Sequence, residues 1–308
     1  MATVARADVV PATVASRRAS AGLWTNAWYS LRRDRLTMGA AALLLVLAAS
    51  AIAAPLFAQY VFHTSFEEQD LLRIYAKPTF DPPAYMLGAD EIGRSQVVRL
   101  LYGGQVSLFI GFVAALMNLT LGVGLGLLAG YMRGAVDDLI TWFITTLNSI
   151  PIIFLLLLIT SLFQPGALTL TLIIGVLFWT GVTNFVRGQT FALREREFVT
   201  AARTIGAATP RILIRHILPN VLPLIFVLAA IDIGTIILAE SALSYLGLGV
   251  NAAQTPSWGN MLSNAQSYAT RAPWLVVAPG AMIFLTVLCL YLIGDGLRDA
   301  LDPRLKAS

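Results

Sequence analysis

The sequence has little charge, little cysteine and little histidine, and each shortage limits what the protein can be. Charged residues make up only 12% of its 308 residues, whereas a soluble domain carries about 25%. The single cysteine, Cys289, excludes a disulfide within the chain, and packing is its expected role. The two histidines, His63 and His216, stand apart without the spacing of metal ligands. The sequence therefore predicts a chain in a lipid bilayer and no metal site.

The motifs of common enzymes are also missing. No G-x-x-x-x-G-K-[ST] phosphate loop occurs in these residues, and neither of the two lysines, Lys77 and Lys306, follows a glycine. The H-E-x-x-H and G-x-S-x-G motifs of hydrolases do not occur either. These absences exclude P-loop ATP hydrolysis by these residues and give a membrane enzyme no support. We predict no catalytic residue and no cofactor on this chain.

Long hydrophobic runs fill most of the sequence and predict an all-α membrane protein with six transmembrane helices. A helix needs about 20 apolar residues to cross the hydrocarbon of a bilayer. The run over 139–186 is too long for one span, and QPG at Gln164–Gly166 interrupts it, so we expect two spans joined by a tight turn there. The other four spans are predicted over 36–57, 100–132, 217–246 and 272–294.

The segments around these spans complete the predicted organisation. Residues 1–22 are expected to form a disordered cytoplasmic tail, and residues 296–308 a second cytoplasmic tail. Residues 23–35 have tryptophans and leucines at helical spacing before three arginines, which favours an amphipathic helix in the membrane interface over a plain linker. An extracytoplasmic loop is predicted over 58–99. A core domain over 100–295 holds the other five spans and a cytoplasmic loop at 188–218.

The basic residues set the expected orientation. With both termini in the cytoplasm, sixteen arginines and lysines lie on the cytoplasmic side and five lie outside. The positive-inside rule requires this asymmetry, and it accounts for the formal charge of +4 without a nucleic-acid partner. The longest cytoplasmic loop between spans is then the stretch FVTAARTIGAATPRILIRHILPN, from Phe198 to Asn220.

This stretch predicts two short helices separated by a glycine. Apolar residues recur at i, i+3, i+4 and i+7 and form a stripe of Phe198, Ala201, Ala202 and Ile205. Gly206 follows where such a helix would stop. In the second helix we expect Thr209 to cap the start, Pro210 to occupy the first turn and Pro219 to bend the chain into the fifth span. The residues leave two alternatives open, docking into a groove of another protein and packing on the chain's own spans.

Polar and small residues inside the spans are the other candidates. Asp232 and Glu240 are the acids within a predicted span and lie about 80° apart around its helix. We expect Glu240 near the outer end, within reach of water, in a structural or gating contact. Asp232 is expected either to face a pore or interface or to bond a neighbouring helix. Gly126 and Gly130 form a G-x-x-x-G motif that permits close helix approach, within this chain or on a partner.

The stretch from Phe198 to Asn220 resembles the cytoplasmic EAA loop of the permease subunits of ABC-type importers. Ala201 and Ala202 match its pattern, and Thr200 stands where relatives carry a glutamate. The resemblance implies that this loop couples the permease to separate ATPase subunits. The residues to which it assigns that role are Phe198, Thr200, Ala201, Ala202, Arg203, Gly206, Ala207, Pro210, Leu218 and Pro219.

Three further stretches resemble the oligopeptide/dipeptide (peptide/nickel) family of such permeases, and specifically the second, C-type permease of the pair. They are LGADEIGRSQVVRLLYGGQVSLFIG at 87–111, ESALSYLGLGVNAAQTPSWGNML at 240–262 and GDGLRDALDPRLK at 294–306. The first contains the extracytoplasmic family motif, with Ser95 where relatives have an acid; the motif residues are Asp90, Gly93, Arg94 and Arg99. Candidates for the pathway or the permease interface are Asp232, Glu240, Ser241 and Ser244.

The resemblance implies a type I ABC importer permease fold with both termini in the cytoplasm, in the cytoplasmic membrane of a bacterium and in contact with its lipid. The implied partners are a second permease subunit, two ATPase subunits that bind ATP and Mg, and an extracytoplasmic solute-binding protein. The alternative is a secondary transporter or channel that acts without ATPases. Such carriers usually show two related halves, and no clear internal repeat is visible here. The solute stays open among peptides, nickel, glutathione, sugars and opines.

Overall fold

The structure is a computed structural model that describes residues 23–163, 166–251 and 255–301. Within these ranges the chain forms helices and no strand, and its one β-bridge is isolated. The predicted all-α fold is therefore confirmed. The predicted disordered tail over 1–22, the end of the predicted second tail from residue 302 onward, and two residues of the predicted QPG turn lie outside the described residues.

The described ranges contain thirteen α-helices, and short π-helical or 3-10 turns join some of them. The helices are α1 (Leu23–Arg33), α2 (Arg35–Ile52), α3 (Ala54–Leu56), α4 (Gln96–Met132), α5 (Ala135–Asn148), α6 (Ile152–Phe163), α7 (Ala167–Leu177), α8 (Trp179–Arg194), α9 (Glu197–Thr204), α10 (Thr209–Ile212), α11 (Leu218–Tyr245), α12 (Trp258–Ala265) and α13 (Trp274–Leu301). The π turns are Phe57–Phe62 and Leu213–Ile217, and the 3-10 turns are Leu71–Arg73, Pro83–Tyr85 and Gln266–Tyr268.

Helix α4 lies at the centre of the fold and packs against α2, α7, α8 and α11. It has 37 residues, and at about 1.5 Å per residue it is about 55 Å long, well beyond the roughly 30 Å of a bilayer's hydrocarbon. Ser95 caps its first turn by accepting a hydrogen bond from the Val98 N–H at 3.3 Å. Ser95 thus serves as the N-cap of α4, a role that requires a side-chain oxygen but no charge.

Small residues let α4 and α8 approach closely. A Cβ on Gly126 would lie 2.8 Å from the carbonyl oxygen of Thr183, and a Cβ on Gly130 would lie 2.7 Å from that of Arg187. Only glycine permits backbones to come this near. The sequence left open whether the G-x-x-x-G motif packs within this chain or on a partner. In the structure it packs within this chain, against α8.

Five described helical runs are long and apolar enough to cross a membrane, and a sixth exists only as a bent pair. The pair is α5 with α6, bent by 75° between Asn148 and Ile152. Pro151 explains the bend, because it lacks an N–H and disfavours helical geometry in the residue before it. The first of the two spans predicted over 139–186 is therefore a broken helix. The five continuous runs are Arg35–Ile52, Gln96–Met132, Ala167–Arg194, Thr209–Tyr245 and Trp274–Leu301.

The second half of the predicted cytoplasmic loop is continuous with the next span. The π turn Leu213–Ile217 joins α10 to α11, so one helical run extends from Thr209 to Tyr245. The predicted bend at Pro219 is therefore wrong: Pro219 is the second residue of α11 and lies inside this continuous run. The predicted cap is also wrong, because Thr209 is already helical and Ala208 holds the cap position without a side-chain bond.

Residues 23–33 are helical, as the amphipathic pattern predicts, and α1 packs against α13 and α2. Ala27 is buried, whereas Trp28 is exposed with the Arg32 guanidinium 4.5 Å from the centre of its ring. The surface of the spans is apolar, with exposed side chains such as Leu45, Leu162 and Phe284. Such a surface suits lipid, in which helices satisfy their own backbone hydrogen bonds.

The two ends of α4 organise the two ends of the fold. The last turns of α4 pack against α8 near α9, and we call this the α9 end. The first turns of α4 pack against α12 through Trp258, whose Nε1–H donates to the Leu100 carbonyl at 3.0 Å. We call this the α12 end. Under the orientation predicted from the arginines, the α9 end faces the cytoplasm.

Candidate coupling loop and polar centres

Helix α9 is anchored to the spans by one narrow face. Val199 is completely buried and Ala202 nearly so. They belong to a cluster of buried apolar side chains from α4, α8, α10 and α11, among them Tyr131, Val186 and Ile217. Since α9 is only eight residues long and short helices are marginal alone in water, this packing holds it in place.

The flank of α9 beside this buried face is apolar and uncovered. Phe198 is 41% exposed and Ile205 is 84% exposed, and Ala201 is exposed as well. Of the predicted stripe only Ala202 packs inward. The inner face of α9 is therefore Val199 with Ala202, and most of the stripe lies on the surface. Helical spacing predicts which residues share a face but not which face the neighbours cover.

Gly206 ends α9 as predicted, in a Schellman motif. The Gly206 N–H donates to the Arg203 carbonyl at 2.9 Å, and the Ala207 N–H donates to the Ala202 carbonyl at 3.0 Å. These two bonds satisfy carbonyls that a helix end leaves without partners. The φ of Gly206 is +80°, a left-handed conformation, and an added Cβ would meet nothing within 4 Å. Backbone conformation, not crowding, is what requires glycine here.

The remaining residues of the predicted coupling loop divide between surface and core. Thr200 is exposed, and its hydroxyl donates to the Arg196 carbonyl at 3.4 Å. Pro210 and Pro219 are exposed as well. Ala207 and Leu218 are partly buried and pack on the cluster beneath α9.

Glu240 is the centre of a buried network at the α12 end. Its carboxylate accepts hydrogen bonds from the hydroxyls of Ser244 at 2.7 Å, Ser107 at 3.1 Å and Ser241 at 3.4 Å. The expectation that Glu240 lies within reach of water is wrong, because its side chain is fully buried. Helix α4 and the segment after α11 cover it, and the serine donors compensate for its burial.

The same network extends to the turn after α11 and to the start of α12. The backbone N–H of Trp258 donates to the Ser107 hydroxyl oxygen at 3.2 Å, and the backbone N–H of Val250 donates to the Ser244 hydroxyl oxygen at 3.2 Å. Through these two serines, Glu240 connects α11, α4, the start of α12 and the turn after α11. Trp258 is 2% exposed and serves this packing.

Asp232 lies about two turns before Glu240 in α11 and also faces α4. Its carboxylate accepts a hydrogen bond from the Asn118 amide at 3.2 Å. Asn118 is fully buried and its own Oδ1 has no partner, whereas Asp232 is only partly buried. The two acids therefore lie on one broad side of α11, as the 80° spacing indicates. The Asp232 side chain is more exposed than the Glu240 side chain.

The extracytoplasmic family motif forms a buried ion-pair turn at the α12 end. Asp90 accepts from the Arg94 Nε at 2.6 Å and from the Arg94 backbone N–H at 2.9 Å, and the Arg99 Nε lies 3.5 Å away. Gly93 has a φ of +80°, and a Cβ there would lie 1.8 Å from the Asp70 carbonyl oxygen. Burial raises the pKa of the Glu91 carboxyl, and the charge of Asp90 raises it further. The motif thus fastens the loop that precedes α4 to the first turns of that helix.

A polar cavity of about 340 Å³ opens at the α12 end, between the end of α6, the turn after α11 and α12. Its lining carries hydroxyls and amides and no acid or base. The lining side chains with hydrogen-bonding groups are Thr160, Ser161, Ser244, Asn251, Asn260, Ser263 and Asn264. Such a cavity can bind an uncharged group that both donates and accepts hydrogen bonds.

Sequence reasoning missed the partners that complete these centres. Ser107 is 133 positions from Glu240 in the chain, and Asn118 is 114 positions from Asp232. Tyr131, which bonds Arg203, is 72 positions away from it. Local periodicity carries no signal for such pairs, since they depend on how the spans pack.

Comparison with known proteins identifies the family. Residues 122–307 match the model of the family described as the inner membrane component of binding-protein-dependent transport systems. Residues 22–78 match the N-terminal transmembrane domain of oligopeptide transport permease C. The two matches cover α2, the helices from α5 to α13 and the loop around α9, and they leave out residues 79–121, which include most of α4.

Curated relatives extend over nearly the whole chain. The oligopeptide transport system permease protein OppC of Haemophilus influenzae is 36% identical, over 90% of this chain and 88% of its own length. OppC of Bacillus subtilis is 34% identical over 93% of this chain and 92% of its own length. The dipeptide transport system permease protein DppC of B. subtilis is 35% identical over 94% and 88%. With its helical spans, these similarities show that the chain belongs to the family of inner membrane components of binding-protein-dependent transport systems, the permeases of ABC transporters.

Proposed function

We propose that this chain is a permease subunit of an ATP-driven importer for peptides. It forms half of a translocation pathway with a second permease, and the loop over 198–219 couples it to two separate ATPase subunits that bind ATP and Mg. An extracytoplasmic binding protein delivers the solute. The names of the relatives, which are oligopeptide and dipeptide permeases, support the solute class.

The observation that carries this proposal is the two-faced packing of α9. One face, Val199 with Ala202, is buried in the cluster that joins α4, α8 and α11, while Phe198 and the C-cap residue Ile205 on the adjacent flank are uncovered. An apolar helix face of this kind suits a groove on a partner protein. A partner that moves α9 would also move the spans in contact with it, because packed helices shift as semi-rigid bodies.

The cavity at the α12 end also favours a peptide over a metal ion. Its lining offers hydroxyls and amides and no carboxylate, thiolate or imidazole. Nickel requires such ligands, whereas the amides of a peptide backbone pair with hydroxyl and amide groups. We assign Asp232, which retains partial access, to the pathway, and Glu240, Ser241 and Ser244 to the buried network that supports the cavity wall.

A charge placed on the uncovered face of α9 tests the coupling role. We expect Ile205→Glu to lower ATP-dependent peptide uptake at least about tenfold, because a central apolar contact of an interface contributes 2 kcal/mol or more. The measurement is uptake and ATP hydrolysis by the complete importer in proteoliposomes. Ile214→Glu is the matched control: Ile214 is also exposed, at 65%, but lies on the π turn and is not among the residues to which the coupling role is assigned.

Equal uptake by the Ile205→Glu and Ile214→Glu importers would overturn the coupling role of this face. Reconstitution of the chain without ATPase subunits tests the alternative of a secondary transporter or channel. Peptide transport by the chain alone would establish that alternative, and its absence, with uptake restored by the ATPases, supports the importer.

A further inference from the structure

A second cavity, of about 310 Å³, opens beside α9 and is lined by two arginines. Arg194 ends α8, Arg203 lies in the last turn of α9, and Tyr131 lies near the end of α4 between them. Met132 and Thr209 complete the lining. The cavity therefore lies where two spans, α9 and α10 meet.

Both arginines are oriented by the same tyrosine. The guanidinium carbons of Arg194 and Arg203 lie 5.5 and 5.0 Å from the centre of the Tyr131 ring. Arg194 donates to the Tyr131 carbonyl, and the Arg203 Nε donates to the Tyr131 hydroxyl at 3.2 Å. Tyr131 is itself buried. Two cations are thus held at one cavity by a fixed aromatic side chain.

Neither arginine has a carboxylate partner among the described residues. Two acids of neighbouring elements are paired elsewhere: Glu195, the residue after Arg194, binds Arg133 at 2.7 Å, and Asp137 of α5 binds Arg187. The Arg194 Nε is buried and has no hydrogen-bond partner. A buried donor without a partner is costly, and an anion in the cavity would supply an acceptor to the Arg194 Nε while lying beside the guanidinium group of the exposed Arg203.

We propose that this cavity binds a phosphate group, carried either by an anionic lipid headgroup or by free inorganic phosphate. Guanidinium groups present parallel N–H donors that match phosphate oxygens, and the exposed Thr209 hydroxyl adds a further donor. Met132, which is 51% exposed, forms an apolar edge. Basic pockets between the cytoplasmic ends of transmembrane helices are suited to lipid headgroups.

A phosphate at this position would connect α8 to α9 through Arg194 and Arg203. It would then stiffen the junction between α9 and the spans. The expected effect on transport rests on the proposed coupling role of α9, whereas the binding itself does not. Binding is therefore measured on the purified full chain, so that failure of one proposal is distinguishable from failure of the other.

The experiment has two arms. In the first, native mass spectrometry counts the phosphatidylglycerol retained by the chain after transfer from nanodiscs that contain it. In the second, equilibrium dialysis measures radiolabelled inorganic phosphate bound to the chain in detergent without phospholipid. The variants are Arg203→Gln and Arg194→Gln. The matched control is Arg211→Gln, which removes an exposed arginine of α10 that does not line the cavity.

We expect each cavity variant to weaken binding about tenfold in at least one arm, as the loss of charge-assisted hydrogen bonds predicts, and the control to leave binding unchanged. An effect confined to the first arm identifies a lipid headgroup, and one confined to the second identifies free phosphate. Arg203→Lys keeps the positive charge but lacks the parallel N–H donors of a guanidinium group, so we expect it to weaken binding less than Arg203→Gln. It also provides a second test if the Gln variant does not fold.

Three outcomes would overturn the proposal. The first is equal weakening by Arg211→Gln, which would show diffuse charge attraction. The second is binding that no cavity variant changes, or no binding in either arm. The third is displacement of the bound phosphate when the ATPase subunits assemble with the chain, which would assign the two arginines to an acidic contact on those subunits.

Discussion

At the scale of single residues, burial separates the two acids of α11. Glu240 is fully buried and accepts hydrogen bonds from three serines, while Asp232 is partly buried and has one amide partner. A buried acid with several donors fixes its neighbours in one arrangement. Glu240 is therefore suited to hold the α12 end together, and Asp232 is the acid that a passing solute could contact.

Replacement of Glu240 should reveal that role in stability. We expect Glu240→Leu to lower the free energy of unfolding by about 1–3 kcal/mol, since it leaves the buried hydroxyls of Ser107 and Ser244 without their acceptor. Glu240→Gln should lose less, because an amide keeps an acceptor. Thermal unfolding of the purified chain in detergent measures both. Glu197→Leu, at an exposed acid of α9, is the control, and an equal effect there would refute the network.

Gly206 provides a second prediction at this scale. Because its φ is +80° and an added Cβ meets nothing, Gly206→Asn should be tolerated, whereas Gly206→Val should cost about 1–2 kcal/mol of loop stability. Limited trypsin digestion measures this cost, since opening of the α9 end exposes the bonds after Arg203 and Arg211. Gly188→Val is the control, at a helical glycine that also has open space around it. Faster cleavage of this control than of Gly206→Val would contradict the explanation.

At the scale of elements, the close contact between α4 and α8 determines where the α9 end lies. Helix α4 presents Gly122, Gly126 and Gly130 to α8 along one face, while Gly124 faces open space. Close backbone approach replaces the hydrophobic effect as the source of helix association in lipid. The cluster under α9 continues from this contact, so disturbance of α4 and α8 would reach the coupling loop.

A matched pair of glycine substitutions tests this contact. Gly126→Leu should destabilise the chain by about 1–3 kcal/mol, because it forces α4 away from α8, whereas Gly124→Leu should be nearly neutral. Thermal unfolding in detergent compares the two variants. If both have the same midpoint of unfolding, the tight α4–α8 contact is not a determinant of stability.

At the scale of the whole molecule, the orientation in the membrane decides which end meets ATPases and which meets a binding protein. The sixteen-to-five distribution of basic residues predicts that the α9 end is cytoplasmic. Thr200 on α9 and Phe80 in the first outer loop are both exposed, at opposite ends of the fold. They provide sites for direct measurement.

Cysteine labelling tests the orientation. In a Cys289→Ser background that removes the native thiol, Phe80→Cys should react with a membrane-impermeant maleimide in intact spheroplasts. Thr200→Cys should react only after permeabilisation, when the chain is expressed without its partners so that no subunit covers α9. The reverse pattern would show that the α9 end lies outside, and the coupling proposal would fail with it.

Some features could be predicted from particular residues alone. Spans follow from charge-free runs because a bilayer excludes unpaired polar groups, and the Gly206 stop follows from the conformational freedom of glycine. The cap at Thr209 and the bend at Pro219 were predicted from the same kind of local preference and were wrong. At that point the packing of Ile212 and Ile217 into the core continues the helix through a π turn.

The sequence by itself determined the membrane class, the number of apolar runs, the family motifs and the end of α9, since each depends on residues close together in the chain. Only the tertiary structure decided that Val199 rather than the Phe198 stripe faces inward, that Glu240 is sealed among serines, and that Arg194 and Arg203 converge on Tyr131. These features depend on the rotation of each helix about its axis. That rotation is set by contacts between residues far apart in the chain, which local periodicity does not record.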